Sequence, residues 1–107
     1  MTDSNINETP TNIIGEIDYQ SASIVSKQII KKPNGNVTLF AFAKGESLAA
    51  HTSPYDALVL ILEGNMEITL GEAKHNVSGG ERLLMSANIM HGLEAKENTK
   101  MFLTMIK

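Results

Sequence analysis

Leu58-Val59-Leu60-Ile61-Leu62-Glu63-Gly64-Asn65-Met66-Glu67-Ile68-Thr69-Leu70-Gly71 is the stretch that decides the fold. Two short apolar runs, Leu58 to Leu62 and Met66 to Leu70, are parted by Glu63-Gly64 and closed by Gly71, which reads as strand, turn, strand. The second run alternates: Met66, Ile68 and Leu70 share one side, Glu67 and Thr69 the other, as in a strand with one wet face. The first run does not alternate. Five consecutive apolar side chains put hydrocarbon on both faces, so the outside of this strand needs a cover as well as the inside.

The same punctuation extends in both directions. Ser23 to Lys32 and Val37 to Ala43 precede this stretch, and Lys74 to Ser78, Arg82 to Met85 and Lys100 to Ile106 follow it. Between them fall Pro33-Asn34-Gly35-Asn36, Lys44-Gly45, Gly79-Gly80 and Glu97-Asn98. Asn34-Gly35 offers the two positive-φ positions of a tight hairpin. Helices have little room, and short strands at this spacing predict an all-β sandwich or barrel. Met101 to Ile106 is apolar on both faces apart from Thr104, so two strands ask for an outer cover. The N-terminal strands or a second copy of the chain can supply it. A chain this short buries only about two-thirds of its unfolded surface, which makes added burial in a homodimer the expectation.

With 107 residues, the chain fits one domain over residues 13–107, preceded by a polar tail at residues 1–12. The net charge is −3 and the nine Lys and Arg are scattered, Lys31-Lys32 apart, so no basic stripe suits nucleic acid. Cysteine is absent, which excludes disulfides and thiolate ligands and leaves His and carboxylates as metal donors. The longest apolar run, Ala57 to Leu62, is far below the roughly 20 residues of a membrane span. No signal-peptide pattern opens the chain. A cytoplasmic protein that binds neither membrane nor nucleic acid is the expectation. Gly79-Gly80 precedes no helix that would receive a phosphate, and no nucleophile elbow surrounds Ser53 or Ser86.

Two spaced motifs carry the remaining information. The first reads Gly45, five residues, His51-Thr52-Ser53, then Asp56-Ala57, and ends on Leu62-Glu63-Gly64. The second reads Gly80, five residues, Ser86-Ala87-Asn88, then Ile89-Met90-His91, and reaches Ala95. From about Val37 to Ile106 the chain resembles the cupin superfamily, in particular its small single-domain members. The family pattern is Gly, five residues, His-x-His, three or four residues, Glu, six residues, Gly, followed later by Gly, five residues, Pro-x-Gly, two residues, His, three residues, Asn. The glycines at 45, 64 and 80 match, as do His51 and His91. Ser53 stands in place of the second His. Ala57 replaces the Glu, with Asp56 one residue early, and Ser86, Asn88 and Ala95 replace Pro, Gly and Asn. The resemblance implies a small antiparallel jelly-roll β-barrel, or double-stranded β-helix, whose pocket is lined by His51, Ser53, Ala57 and His91.

His51 and His91 are the candidate functional pair. Neutral imidazole is a common ligand of Zn, Fe and Ni, so one divalent transition metal, with Mn also in the family's range, is a candidate cofactor. Catalytic zinc sites commonly use three protein ligands. Asp56, turned inward if Pro54 disrupts the strand, or His75, on the same strand face as Val77, would be the third. Tyr55, in the loop after His51, and Met90, beside His91, are candidates for the pocket mouth. Three functions follow: a protein binding a small molecule through His51 and His91, a metal-dependent oxygenase or isomerase, and a non-catalytic dimeric module that uses its apolar outer strands.

Overall fold

The computed structural model describes residues 8–107, so residues 1–7 of the expected tail lie outside it. A one-turn 3-10 helix, Ile13–Glu16, is followed by nine strands: β1 (Ile24–Lys32), β2 (Gly35–Phe42), β3 (Ser47–His51), β4 (Asp56–Glu63), β5 (Asn65–Leu70), β6 (Ala73–Ser78), β7 (Arg82–Met85), β8 (His91–Ala95) and β9 (Thr99–Ile106). They form two antiparallel sheets, ordered β1-β2-β9-β4-β7 and β3-β8-β5-β6. Consecutive strands cross repeatedly from one sheet to the other, as in a jelly roll. No ladder of hydrogen bonds joins the two sheets into a closed barrel among the described residues.

Alternation builds the core. Ala57, Val59 and Ile61 of β4 point inward, as do Met66 and Ile68 of β5, and they pack with Phe42, Val77, Met85, Leu93, Ala95 and Met101. Each large side chain fully buried here stabilises the fold by about 1.5–3 kcal/mol. The turn between β4 and β5 needs Gly64: its φ is +97°, and a Cβ there would collide with the carbonyl of Asn98.

The hairpin between β1 and β2 differs from the sequence expectation. Lys32 pairs with Gly35, so the two-residue loop is Pro33-Asn34, and neither Asn34 nor Gly35 has positive φ. Gly35 is needed for a different reason, because a Cβ would stand 2.5 Å from the carbonyl oxygen of Met105 on the neighbouring strand. Strands β3 and β8 are also additions to the sequence reading. Ser47-Leu48-Ala49-Ala50-His51 and His91-Gly92-Leu93-Glu94-Ala95 are rich in Ala, Gly and Ser and carry little local strand signal.

The outside of β4 and β9 does receive an N-terminal cover. Ile17, Ile13 and Tyr19 pack on Leu39, Ala41, Leu62 and Phe102 across the outer face of the five-stranded sheet. Lys100, buried on that face, fastens the segment. Its ammonium donates to the carbonyl of Ile14, lies 3.8 Å from the Glu63 carboxylate and sits 5.1 Å from the centre of the Tyr19 ring. The Tyr19 hydroxyl donates to Glu63 at 2.6 Å. Burial, reinforced by that carboxylate, pushes the Tyr19 phenol well above its ordinary range. Thr11 donates to Glu16 and Asn12 accepts from the Ile14 amide, so the turn is capped before the chain reaches the sheet.

Candidate functional site

The two strands that carry the histidines pair at one open end of the sandwich. Leu48 of β3 lies opposite Leu93 of β8, and His51 lies opposite His91. β3 therefore advances three residues while β8 advances two. This bulge changes the parity of β3, so His51 faces the same inner side as Leu48, where an unbroken strand would have turned it outward. The ring centres of His51 and His91 are 4.4 Å apart, edge to face.

Backbone carbonyls orient both rings. His51 Nδ1 lies 2.8 Å from the carbonyl oxygen of Ala49, and His91 Nδ1 lies 3.2 Å from that of Ile89. A carbonyl only accepts, so each Nδ1 carries the proton when the bond forms, and each neutral ring keeps its Nε2 lone pair for a visitor. His91 is only 7% exposed, whereas His51 is exposed at the mouth. Burial, with a smaller contribution from the His51 charge, holds the His91 imidazole below its ordinary value even though the Ile89 carbonyl acts in the opposite direction. His91 is thereby biased toward the neutral form.

Behind the pair lies a cavity of about 60 Å³, lined by Phe40, Leu48, Ala57, Met85, Leu93, Met101, Leu103 and Met105 together with the two histidines. Of the sequence-named pocket residues, His51, Ala57 and His91 meet here. Ser53, Tyr55 and Met90 do not line it. Ser53 works within the loop: its Oγ accepts from the Tyr55 amide and its carbonyl from the Asn88 amide. Asn88 has φ +68° in the place where the family pattern has Gly, a conformation that Asn tolerates better than most residues. Met90 is half exposed, and the Tyr55 ring lies 5.9 Å from the Lys107 ammonium. The sequence reading missed the three thioethers, Met85, Met101 and Met105. Strand parity was the signal that would have found them.

Neither candidate third ligand joins the pair. Asp56 pairs with Ile106, in the outward-facing set of β4, and its carboxylate accepts from the Ala87 amide at 2.9 Å. Pro54 thus leaves the parity of position 56 intact. His75 is exposed on β6, an edge strand two strands from β8, or roughly 10 Å at ordinary strand spacing. No group of three or more His, Asp or Glu suited to a metal occurs among the described residues. The donor set, two imidazoles without a carboxylate, does not fit a divalent ion that requires three protein ligands.

Residues 38–107 match the family model described as Cupin domain. The chain belongs to the cupin family. A conserved protein of unknown function from Streptococcus pyogenes is 30% identical over 92% of this chain and 87% of its own, with a TM-score of 0.90. A Cupin 2 conserved barrel domain protein from Leptotrichia buccalis is 40% identical with a TM-score of 0.87. The match covers 91% of this cupin and 47% of that chain, so this chain spans about half the length of that relative. A cupin superfamily protein from Desulfitobacterium hafniense is 26% identical over 92% of this chain and 91% of its own, with a TM-score of 0.88. No curated protein matches this cupin. No helix among the described residues is long and apolar enough to cross a membrane.

Proposed function

We propose that this cupin binds a small, mostly apolar molecule bearing a hydrogen-bond donor, which enters at the open end and donates a hydrogen bond to an Nε2 lone pair of the His51–His91 pair. The observation that carries this reading is the pair itself: two rings in edge-to-face contact, both fixed through Nδ1, beside a cavity walled by Met, Leu, Phe and Ala. Apolar walls with a few convergent polar atoms are the usual make-up of a small-molecule site. Three thioethers let the wall adapt to the shape of the guest. The cavity alone has about the room of two waters, so a larger ligand requires those methionines to change rotamer.

A matched pair of probes tests the reading. 1-Butanol and diethyl ether are isomers, and only the alcohol donates. With ¹³C-methyl methionine NMR, 1-butanol is expected to shift Met85, Met101 and Met105 saturably and to bind up to about tenfold more tightly than the ether, the difference one net hydrogen bond makes. The preference should vanish in His91→Phe. Equal binding of the isomers, or no shift at these methionines, would refute the proposal. Elemental analysis supplies the second arm. Near-stoichiometric zinc, iron, nickel or manganese in untagged protein, lost in both His51→Ala and His91→Ala, would replace a metal-free pocket with a two-histidine metal site.

A further inference from the structure

Asn34-Gly35 is the only asparagine in the sequence that is followed by glycine. The hairpin does not use the pair for its turn conformation, since the loop is Pro33-Asn34 and neither Asn34 nor Gly35 has positive φ. Packing holds the glycine instead. Gly35 lies opposite Ile106 in the ladder between β2 and β9, where the Met105 carbonyl leaves no room for a Cβ. The fold thus demands glycine at position 35 and places no such demand on the side chain before it.

The surroundings of Asn34 set it apart from the other asparagines. It is exposed at the hairpin tip, and its side-chain amide makes no hydrogen bond among the described residues. The side chains of Asn12, Asn36, Asn65 and Asn98 are each engaged, with Ile14, Thr38, Ser78 and Lys44. Those four precede Ile13, Val37, Met66 and Thr99, while Asn76 and Asn88 precede Val77 and Ile89. Side chains at these following positions, most of them β-branched, crowd the main-chain nitrogen between the two residues. At Gly35 that nitrogen has no side chain beside it.

We infer that Asn34 is a site of spontaneous covalent modification, converting through a cyclic imide to aspartyl and isoaspartyl forms. Solvent base removes the Gly35 amide proton, and the nitrogen attacks Cγ of Asn34. The new N–Cγ bond closes a five-membered ring, the Cγ–Nδ2 bond breaks, and the amide nitrogen leaves as ammonia after taking up a proton from water. A second water opens the ring at either carbonyl, so the sequence needs no oxidant or reductant. Lys32 and Gly35 form the last pair of the β1–β2 ladder, a position that opens at low cost, and glycine supplies the backbone freedom that ring closure needs. Either product adds a negative charge at a tip flanked by Lys31, Lys32 and the chain-terminal Lys107. In the isoaspartyl form the main chain runs through Cγ and is longer by a methylene. The Asn34 carbonyl, which accepts from the Lys107 amide at 2.7 Å, then becomes a free carboxylate outside the main chain, and the hold of the hairpin on the end of β9 loosens.

Peptide mapping of the intact chain, kept folded in warm, mildly alkaline buffer, tests the inference. The tryptic peptide of residues 32–44 should gain the mass difference between amide and acid before any other peptide does, with fragmentation placing the gain at position 34. It should then resolve into two products of equal mass and different retention. Asn34→Gln, whose ring would need six members, should lose the conversion and keep the circular dichroism spectrum of the parent. In the separated isoaspartyl form, the Lys107 amide should exchange its hydrogen faster than in the unmodified chain. An Asn34 that stays intact in the folded chain while the same chain in urea converts would overturn the assignment, as would earlier conversion of another asparagine. Equal exchange at Lys107 in the two forms would overturn the loosening.

Discussion

The two ends of the sandwich are built from the same strands yet differ in how they are filled. At one end Phe42, Ile61, Met66 and Thr99 have no exposed surface, and the Thr99 hydroxyl accepts from the Asn65 amide within reach of the Glu97 carbonyl. At the other end Ala57, Met85, Met105 and two histidines leave a cavity. Bulk and a satisfied hydroxyl close one end. Small and flexible side chains and the two histidines leave space at the other, and the candidate site sits beside that space.

The largest expected effect measures that contrast directly. Phe42→Ala should cost about 3–5 kcal/mol in urea unfolding, whereas Met105→Ala, beside existing space, should cost under about 2 kcal/mol. Equal costs would mean that the ends are equally packed. Next, Lys100→Met should lose about 2 kcal/mol through its hydrogen bond to Ile14 and its contact with Glu63, and hydrogen exchange should accelerate at residues 13–19 while the histidine end keeps its protection. Asp56→Ala should cost about 1 kcal/mol by releasing the Ala87 amide and leave 1-butanol binding unaltered.

The smallest effect is a slope. Because His91 is held below its ordinary value, the unfolded chain binds more protons than the folded one in mildly acid solution. The contribution of His91 is fully present above about pH 6.5, the unfolded value, and is lost as pH falls through the folded value. Chemical denaturation between pH 7.5 and about 5 should show this loss, and His91→Gln should reduce it. An unchanged slope in that variant would place the acid sensitivity elsewhere.

The sequence carried the fold through alternation and turns. Leu58 to Leu62 announced a strand with two dry faces, and the structure covers its outside with Ile17 and its neighbours at Leu62. It also carried both histidines, since their motif spacing does not depend on knowing the strands. It concealed those strands themselves, because Ala49-Ala50 and Gly92 do not resemble sheet residues. The β3 bulge was equally hidden: an extra residue in a ladder is visible only once the partner strand is known. Asp56 illustrates the converse, where a proline two residues earlier suggests broken parity and the ladder to Ile106 holds.

The two sheets meet through side chains and have no hydrogen-bonded ladder between them among the described residues. At the open end, space for the proposed guest thus comes from swinging a few thioethers and remaking dispersion contacts, with no main-chain bond of either sheet broken. The size of the chamber is set by rotamers rather than by the backbone. Under the proposed binding of a small molecule, guests of graded size would call on different rotamers of Met85, Met101 and Met105, while the far end, with Phe42 and Thr99 fully buried, stays closed.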